Sequence, residues 1–342
     1  AGGIGILHLH IDGPRVRVQT AWSRSSIPMK STPASLLFRL VLLAMWLGLG
    51  QVARAAEEPV PNDKCLECHG MSDLSKTNAA GKVFSLFVDE AKYAASMHKT
   101  NQCIDCHQDL RLRWEHPEDN HVVQPVSCAG CHTNQAAQYA GSIHGFNHQK
   151  GGVAASCSDC HGKHDMASVK SMDSPVFKLN LPQTCARCHN DPKLTEQYRI
   201  KMPEAASQYL DSIHGKGLIK MGLIVAPSCN DCHGVHDIIP GTYTNSPVFK
   251  ANISRTCGKC HVKTEDTYNQ SVHGQLLLKG DPRGPVCTDC HSAHAIEHPG
   301  QNGHFKSMSD ERCGKCHEDR LEFYRETYHG KAMALGRAND AP

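Results

Sequence analysis

Large side chains are scarce in this sequence. Aromatic residues make up 6% of the 342 positions and hydrophobic residues 39%, a thin supply for packing one core over such a length. Something other than protein must fill the interior. A dominant charge is lacking too: the formal net charge is +2, and nothing marks a nucleic-acid-binding surface. Long apolar runs are confined to one place near the start. The segment from Met29 to Ala56 has a basic beginning, an apolar stretch from about Leu40 to Gly50, and Ala53-Arg54-Ala55 as a small-x-small cleavage site. That is the layout of a secretory signal peptide. The run is shorter than the roughly 18 to 20 apolar residues of a spanning helix, and Arg39 interrupts it. Residues 29–55 are therefore expected to be a cleaved signal. Residues 1–28 precede it without a leading Met and read as a non-native upstream extension, outside the fold.

Cysteine and histidine are abundant, with 18 and 24 copies. That excludes an ordinary reduced cytosolic enzyme and leaves a disulfide scaffold, a metal protein or a haem protein. Spacing decides between them. Every cysteine falls in one of nine five-residue motifs. They are Cys65-Leu-Glu-Cys68-His69, Cys103-Ile-Asp-Cys106-His107, Cys128-Ala-Gly-Cys131-His132, Cys157-Ser-Asp-Cys160-His161 and Cys185-Ala-Arg-Cys188-His189. Then come Cys229-Asn-Asp-Cys232-His233, Cys257-Gly-Lys-Cys260-His261, Cys287-Thr-Asp-Cys290-His291 and Cys313-Gly-Lys-Cys316-His317. Cys-x-x-Cys-His is the attachment signature of c-type haem, in which two thiols bond the porphyrin and the adjacent histidine reaches the iron. Zinc ribbons and redox disulfides also use Cys-x-x-Cys, but neither requires a histidine after every second cysteine. Nine covalent haems, each with its iron, would supply the missing core.

The motifs alternate between two kinds. Those of the first kind, at Cys65, Cys128, Cys185, Cys257 and Cys313, are each followed by a tyrosine and, five residues later, a histidine: Tyr93 and His98, Tyr139 and His144, Tyr209 and His214, Tyr268 and His273, Tyr324 and His329. Ser stands two residues before the histidine in four copies, and Gly follows it in four. Those of the second kind, at Cys103, Cys157, Cys229 and Cys287, extend in three cases to a further histidine: His164, His236 and His294. The Cys103 motif lacks this extension, so His116 or His121 would have to serve, with His116 taken as the candidate. These nine histidines match the nine second axial ligands that six-coordinate irons need. Because His164 shares a helical turn with His161, it is expected to reach a neighbouring haem rather than its own. His148, His298 and His304 are surplus. Phe177-Lys178, Phe249-Lys250 and Phe305-Lys306 each precede a first-kind motif, and their lysines could pair with haem propionates.

The expected organisation is a first haem module over 56–102 followed by repeated two-haem modules over 103–156, 157–228, 229–286 and 287–342. The fold expected is mostly α and coil with little β, an extended haem-cored array in which each module meets chiefly its neighbours. Asp89 should cap a helix in "DEAKYAASMH", and "KVFSLFV" should hold a short strand. The spacing after His329 places the next cysteine just past Pro342, so a C-terminal truncation is also expected.

With "CHGVHDI", "SPVFK", "TCGKCH" and "SIHG", the chain from Asn62 onward resembles the periplasmic or extracellular multihaem c-type cytochromes of the doubled-CxxCH, cytochrome c3-like group. The resemblance implies a non-enzymatic electron carrier of anaerobic respiration. Its partners would be redox proteins, among them a membrane cytochrome b or quinol oxidoreductase, and self-assembly into a filament also fits the repeat. The alternative is a reductase of nitrogen or sulfur oxyanions with one open haem, expected around Cys103–His107.

Overall fold

The structure is a computed structural model that describes residues 60–78, 80–112, 116, 121–300 and 304–337. They lie in a unit spanning Pro59–Pro342. The upstream extension and the signal peptide fall outside the described residues.

Short helices joined by coil make up nearly all of this unit. Even Leu181–His189, Val262–Gln270 and Glu318–Glu326 run only nine residues each. Helices below about 12 residues are marginal on propensity alone, so these depend on what they pack against. Strand is limited, among the described residues, to a two-stranded antiparallel ribbon. Its β1, Ser75–Thr77, pairs with β2, Val83–Ser85, in the register Lys76 opposite Phe84. β2 lies inside the stretch expected to hold a strand. The helix Glu90–Ala95 begins where the sequence places it, with the Asp89 carboxylate accepting from the Lys92 amide.

Protein alone supplies little core. Among the described residues the buried hydrophobic ones are Ile104, Ala206, Tyr209, Leu218, Ile253, Val286 and Ala332, and three of the seven are alanine or the polar-tipped tyrosine. Buried serines are as prominent: Ser96, Ser142, Ser174, Ser212, Ser228 and Ser246. Large apolar side chains such as Val225, Leu335 and Val272 are instead more than 70% exposed. A chain with this distribution cannot be held together mainly by burial of its own side chains.

The serines hold turns together. In each "SPVFK" copy, an asparagine amide donates back to the turn, Asn180 to the Ser174 carbonyl at 2.9 Å and Asn252 to the Ser246 carbonyl at 2.8 Å. The Thr184 and Thr256 hydroxyls donate to the carbonyls of Pro175 and Pro247 at 2.6 and 2.7 Å. Both threonines immediately precede the first cysteine of a motif, so the loop fixes where that motif begins. At Phe305 this loop is rebuilt as a short helix, His304–Ser307.

Candidate haem-binding array

Each motif of the second kind forms one helical turn: Cys103–Cys106, Cys157–His161, Cys229–His233 and Cys287–His291. All four carry Asp before the second cysteine, a signal in plain view that composition and spacing did not single out. The carboxylates of Asp105, Asp159, Asp231 and Asp289 accept from the backbone amide of the residue preceding the first cysteine, at 2.7 to 2.8 Å. The aspartate thus closes the start of its own turn, satisfying an amide that the helix leaves without a partner. Burial draws the Asp159 carboxyl up, but bonds from Ser156 and the nearby Lys163 and Arg187 outweigh it and hold the group below its usual range.

Lys178 and Lys250 engage these aspartates. Lys178 pairs with Asp231 at 3.1 Å and Lys250 with Asp289 at 3.9 Å, so each meets a carboxylate of the following motif where the sequence reading looked to a propionate. Both pairs are partly exposed and bring at most about 1 kcal/mol.

After the turn, the chain needs a left-handed residue. Gly162 and Gly234 take φ of 87° and 89°, and Ser292 occupies the equivalent place at 63°. A side chain there costs about 1–2 kcal/mol. Ser292→Gly should therefore raise stability by about 1 kcal/mol, read as a higher midpoint of chemical denaturation; an unchanged or lower midpoint would mean that Ser292 makes a compensating contact.

The Tyr-x-x-Ser-x-His-Gly phrase is two helices joined at the hydroxyl. In the third copy, Ala205–Asp211 ends at Ser212, which starts the next helix, Ile213–Gly215. The Ser212 hydroxyl donates to the Tyr209 carbonyl at 2.6 Å and accepts from the Gly215 amide at 3.0 Å. Ser142, Ser271 and Thr327 repeat both bonds. The glycine is required because a Cβ at Gly145, Gly215, Gly274 or Gly330 would collide with the tyrosine carbonyl one helix back. The first copy has Lys99 in place of glycine, and there the second helix does not form.

The tyrosine is a tether. Its hydroxyl donates to the carbonyl two residues before the next second-kind motif: Tyr93 to Asn101 at 2.5 Å, Tyr139 to Ala155 at 2.8 Å, and Tyr209 to Pro227 and Tyr268 to Pro285, both at 2.7 Å. Removing one such hydroxyl by Tyr209→Phe should cost about 1 kcal/mol, measured by denaturation. A loss indistinguishable from zero would show the bond to be incidental.

The histidines stand in facing pairs. Ring centres are 6.0 to 6.2 Å apart in His69–His116, His98–His132, His107–His164, His144–His189, His161–His236, His214–His261, His233–His294 and His273–His317. Every pair joins a motif histidine to one of the nine candidate distal histidines. A metal–imidazole bond of about 2.0 Å on each side, with about 1 Å more to each ring centre, gives about 6 Å for two rings on opposite sides of one iron. No group of three or more metal-ligating side chains occurs among the described residues, which suits an iron whose other four ligands come from a porphyrin. The residues therefore fit haem. Burial lowers the imidazole pKa at several positions, including His144, His189 and His214, and takes His233 to about 4. Those rings are neutral, with a lone pair to give.

The pairing follows a rule. First-kind motif histidines face the Tyr-linked histidine of the preceding module; second-kind motif histidines face the extension histidine of the next second-kind motif. His116 departs from this by facing His69. His121 instead lies 2.9 Å from the Asp109 carboxylate. His107, the expected open position, faces His164. The surplus His148, His298 and His304 are exposed. Two residues fall outside the pairs: His291, whose ring stacks on Phe305 at 4.8 Å, and His329, which is exposed and has Tyr328 as its ring neighbour.

Consecutive motifs are linked in sequence order. The first cysteines lie side by side in Cys65 and Cys103, Cys128 and Cys157, Cys185 and Cys229, and Cys257 and Cys287. With its neighbour's help, burial raises the Cys103 thiol to about 12. The complementary junctions bring Cys106 near Cys131, Cys160 near Cys188, Cys232 near Cys260, and Cys290 near Cys313. Three of these carry a further tie, an amide just before a Tyr-linked histidine bonded to a carbonyl just after an extension histidine. Met97 donates to Met166, Ile143 to Ile238 and Ile213 to Ile296, each at 2.8 Å.

The doubled CXXCH motif family model matches residues 280–322. Multiheme cytochrome MtrA of Shewanella baltica is 22% identical over 270 residues, 70% of this chain and 77% of that protein. Cytochrome c-type protein NapC of Haemophilus influenzae is 26% identical over 169 residues, 40% of this chain and 76% of the relative. High-molecular-weight cytochrome c of Nitratidesulfovibrio vulgaris is 25% identical over 251 residues, 68% of this chain but 40% of the longer relative. No solved structure matches.

Proposed function

Because the chain is a multihaem c-type cytochrome with the doubled CXXCH motif, we propose that it conducts electrons through nine covalent haems in the order of their motifs. The observation that carries this reading is that cysteines of each motif lie near those of the next, from Cys65 through Cys313. Haems attached there would each neighbour the next, and an electron would pass between them without a detour.

The cysteines would hold the porphyrins by thioether bonds, and the motif histidines His69, His107, His132, His161, His189, His233, His261, His291 and His317 would each give a ligand to one iron. His98, His116, His144, His164, His214, His236, His273 and His294 would give the second ligand to eight of them. Haem iron supplies the electron-accepting centre; the chain's own residues set its ligands, its burial and its spacing from the next, which together tune its potential. Iron held by two histidines would have no position for a substrate, which favours carriage over catalysis. Porphyrin faces would supply the apolar core that the protein's own side chains do not.

Export precedes this work, since haem attachment of this kind uses free thiols on the far side of a membrane from synthesis, and residues 29–55 carry the features of a signal peptide. We place the mature protein in the periplasm or outside the cell. Among the described residues no helix is long and apolar enough to cross a membrane. Its partners are an electron donor and an electron acceptor, with a membrane cytochrome b or quinol oxidoreductase as the candidate donor. A second copy of the chain is the candidate for onward transfer.

Mass spectrometry of the matured protein should find nine haems, and protein-film voltammetry should show reversible exchange by all of them. A protein with fewer haems, or with a block of them electrically silent, would overturn the reading.

A further inference from the structure

The Cys65 motif is followed by something its repeats lack. After His132, His261 and His317 a helix starts at the next residue: Thr133–Ala140, Val262–Gln270 and Glu318–Glu326. After His69 comes the ribbon of β1 and β2, and the helix of the tyrosine phrase does not begin until Glu90. The base of the ribbon is bonded back onto the motif. The Leu86 amide donates to the Leu74 carbonyl at 2.9 Å, and the Val88 amide donates to the His69 carbonyl at 2.7 Å. Between these two ties, the Leu86 carbonyl accepts from the His69 ring, 2.8 Å from its Nδ1.

That contact fixes a tautomer. A carbonyl only accepts, so Nδ1 carries the proton and Nε2 keeps its lone pair for iron. Among the described residues it is the one hydrogen bond to a ring nitrogen in the eight facing pairs. The ring opposite, His116, has a buried Nδ1 without a partner, so any outer bond acting on this iron acts through His69. An acceptor on the outer nitrogen raises the basicity of the inner one. A more basic ligand stabilises ferric over ferrous iron and lowers the reduction potential.

We propose that the ribbon sets the potential of one haem: the Leu86 carbonyl, acting through His69, lowers the potential of the haem on Cys65 and Cys68. Leu86 is a positioning residue, and the ribbon is what positions it. The lowered potential shifts the sharing of an electron toward the haem on Cys103, whose first cysteine lies beside Cys65. In that transfer the Cys65 iron goes from ferrous to ferric and the Cys103 iron from ferric to ferrous, with no bond made and no proton moved. The electron arrives from the redox partner of the preceding section, and the inference rests on the haem reading given there.

The test uses the matured, haem-loaded protein and a spectroscopic redox titration. The component that vanishes when Cys65→Ala and Cys68→Ala are combined belongs to this haem. Val88→Pro removes the amide that ties the ribbon base to His69, and a glycine–serine linker in place of residues 75–85 removes the ribbon itself. Each change should raise the reduction constant of that component about tenfold, about 59 mV for a one-electron couple. The other haems should hold their potentials, and electron paramagnetic resonance should still show this haem low-spin, with His69 bound. A measurement on the unaltered protein stands beside these variants in case they fail to mature. With histidine labelled by nitrogen-15, the His69 ring proton in the reduced protein should exchange with solvent at least tenfold more slowly than that of His132, which is exposed. Exchange as fast as at His132 overturns the inference, and so does an unmoved potential in a variant whose His69 ring proton has lost its protection. If peptide mass spectrometry finds Cys65 and Cys68 without haem, the haem reading of that motif fails, and the inference with it.

Discussion

Replacing His236 with alanine should turn one haem of the matured protein from low-spin to high-spin, and the haem that changes should be the one on Cys157 and Cys160, not the one on Cys229 and Cys232. The second half of that result is the stronger test. His236 is three residues past His233, and a reader of the motif alone would assign it there. The helical turn ends at His233 and Gly234 takes a left-handed φ of 89°, so the chain leads His236 away from His233. Its ring faces His161 at 6.2 Å instead, and His233 faces His294. Electron paramagnetic resonance reads the spin change. Adding Cys157→Ala and Cys160→Ala to His236→Ala should remove the new high-spin signal, because the affected haem is no longer attached. Removing the haem at Cys229 and Cys232 should leave it. The opposite pattern would sink the cross-module pairing.

Gly215→Ala should cost about 1–3 kcal/mol, the range for forcing extra volume into a packed site. The added methyl collides with backbone, the Tyr209 carbonyl and the Leu210 Cα, and backbone cannot rotate aside as a side chain can. Two helices lean on this contact: the one ending at Ser212 and the one carrying His214. Their separation would move the His214 ring away from His261, so a stability loss should come with a change in the spectrum of the Cys257 haem. Ser212→Ala, which removes the shared cap, should cost about 1 kcal/mol. Denaturation midpoints of the two variants separate the steric effect from the lost hydrogen bonds. A tolerated Gly215→Ala, with the spectrum unchanged, would show that the helix pair can relax and that the glycine is not required.

The repeat was legible in the sequence because its chemistry is local. Cys-x-x-Cys-His, Tyr-x-x-x-x-His and the second histidine three residues on occupy fixed offsets, and the mostly helical, β-poor character follows from short helical stretches between glycines and prolines. The Asp89 cap and the strand at Val83–Ser85 were readable for the same reason. Partnership across modules was not. His98 and His132, or His107 and His164, are separated by stretches of varying length, and no offset in the sequence says which ring faces which. His116 illustrates the limit: the broken Cys103 motif marks the segment as odd, but only the geometry shows His116 opposite His69. Lys178 and Lys250 show it again. A lysine near a haem motif suggests an acidic partner, and two candidates existed, the propionates and Asp231 or Asp289. The aspartates first became visible as a set when all four closed their own turns.

The pairing rule would also impose a schedule on manufacture. In a chain exported from its N-terminus, His98 would arrive before His132, His144 before His189, His214 before His261 and His273 before His317, and haems attached at those later histidines would meet a waiting ring. His107 would wait for His164, His161 for His236 and His233 for His294. The latest second-kind haem would then hang half-ligated until the following module emerged, and a pause or a cut at that moment would leave a reactive iron at the growing end.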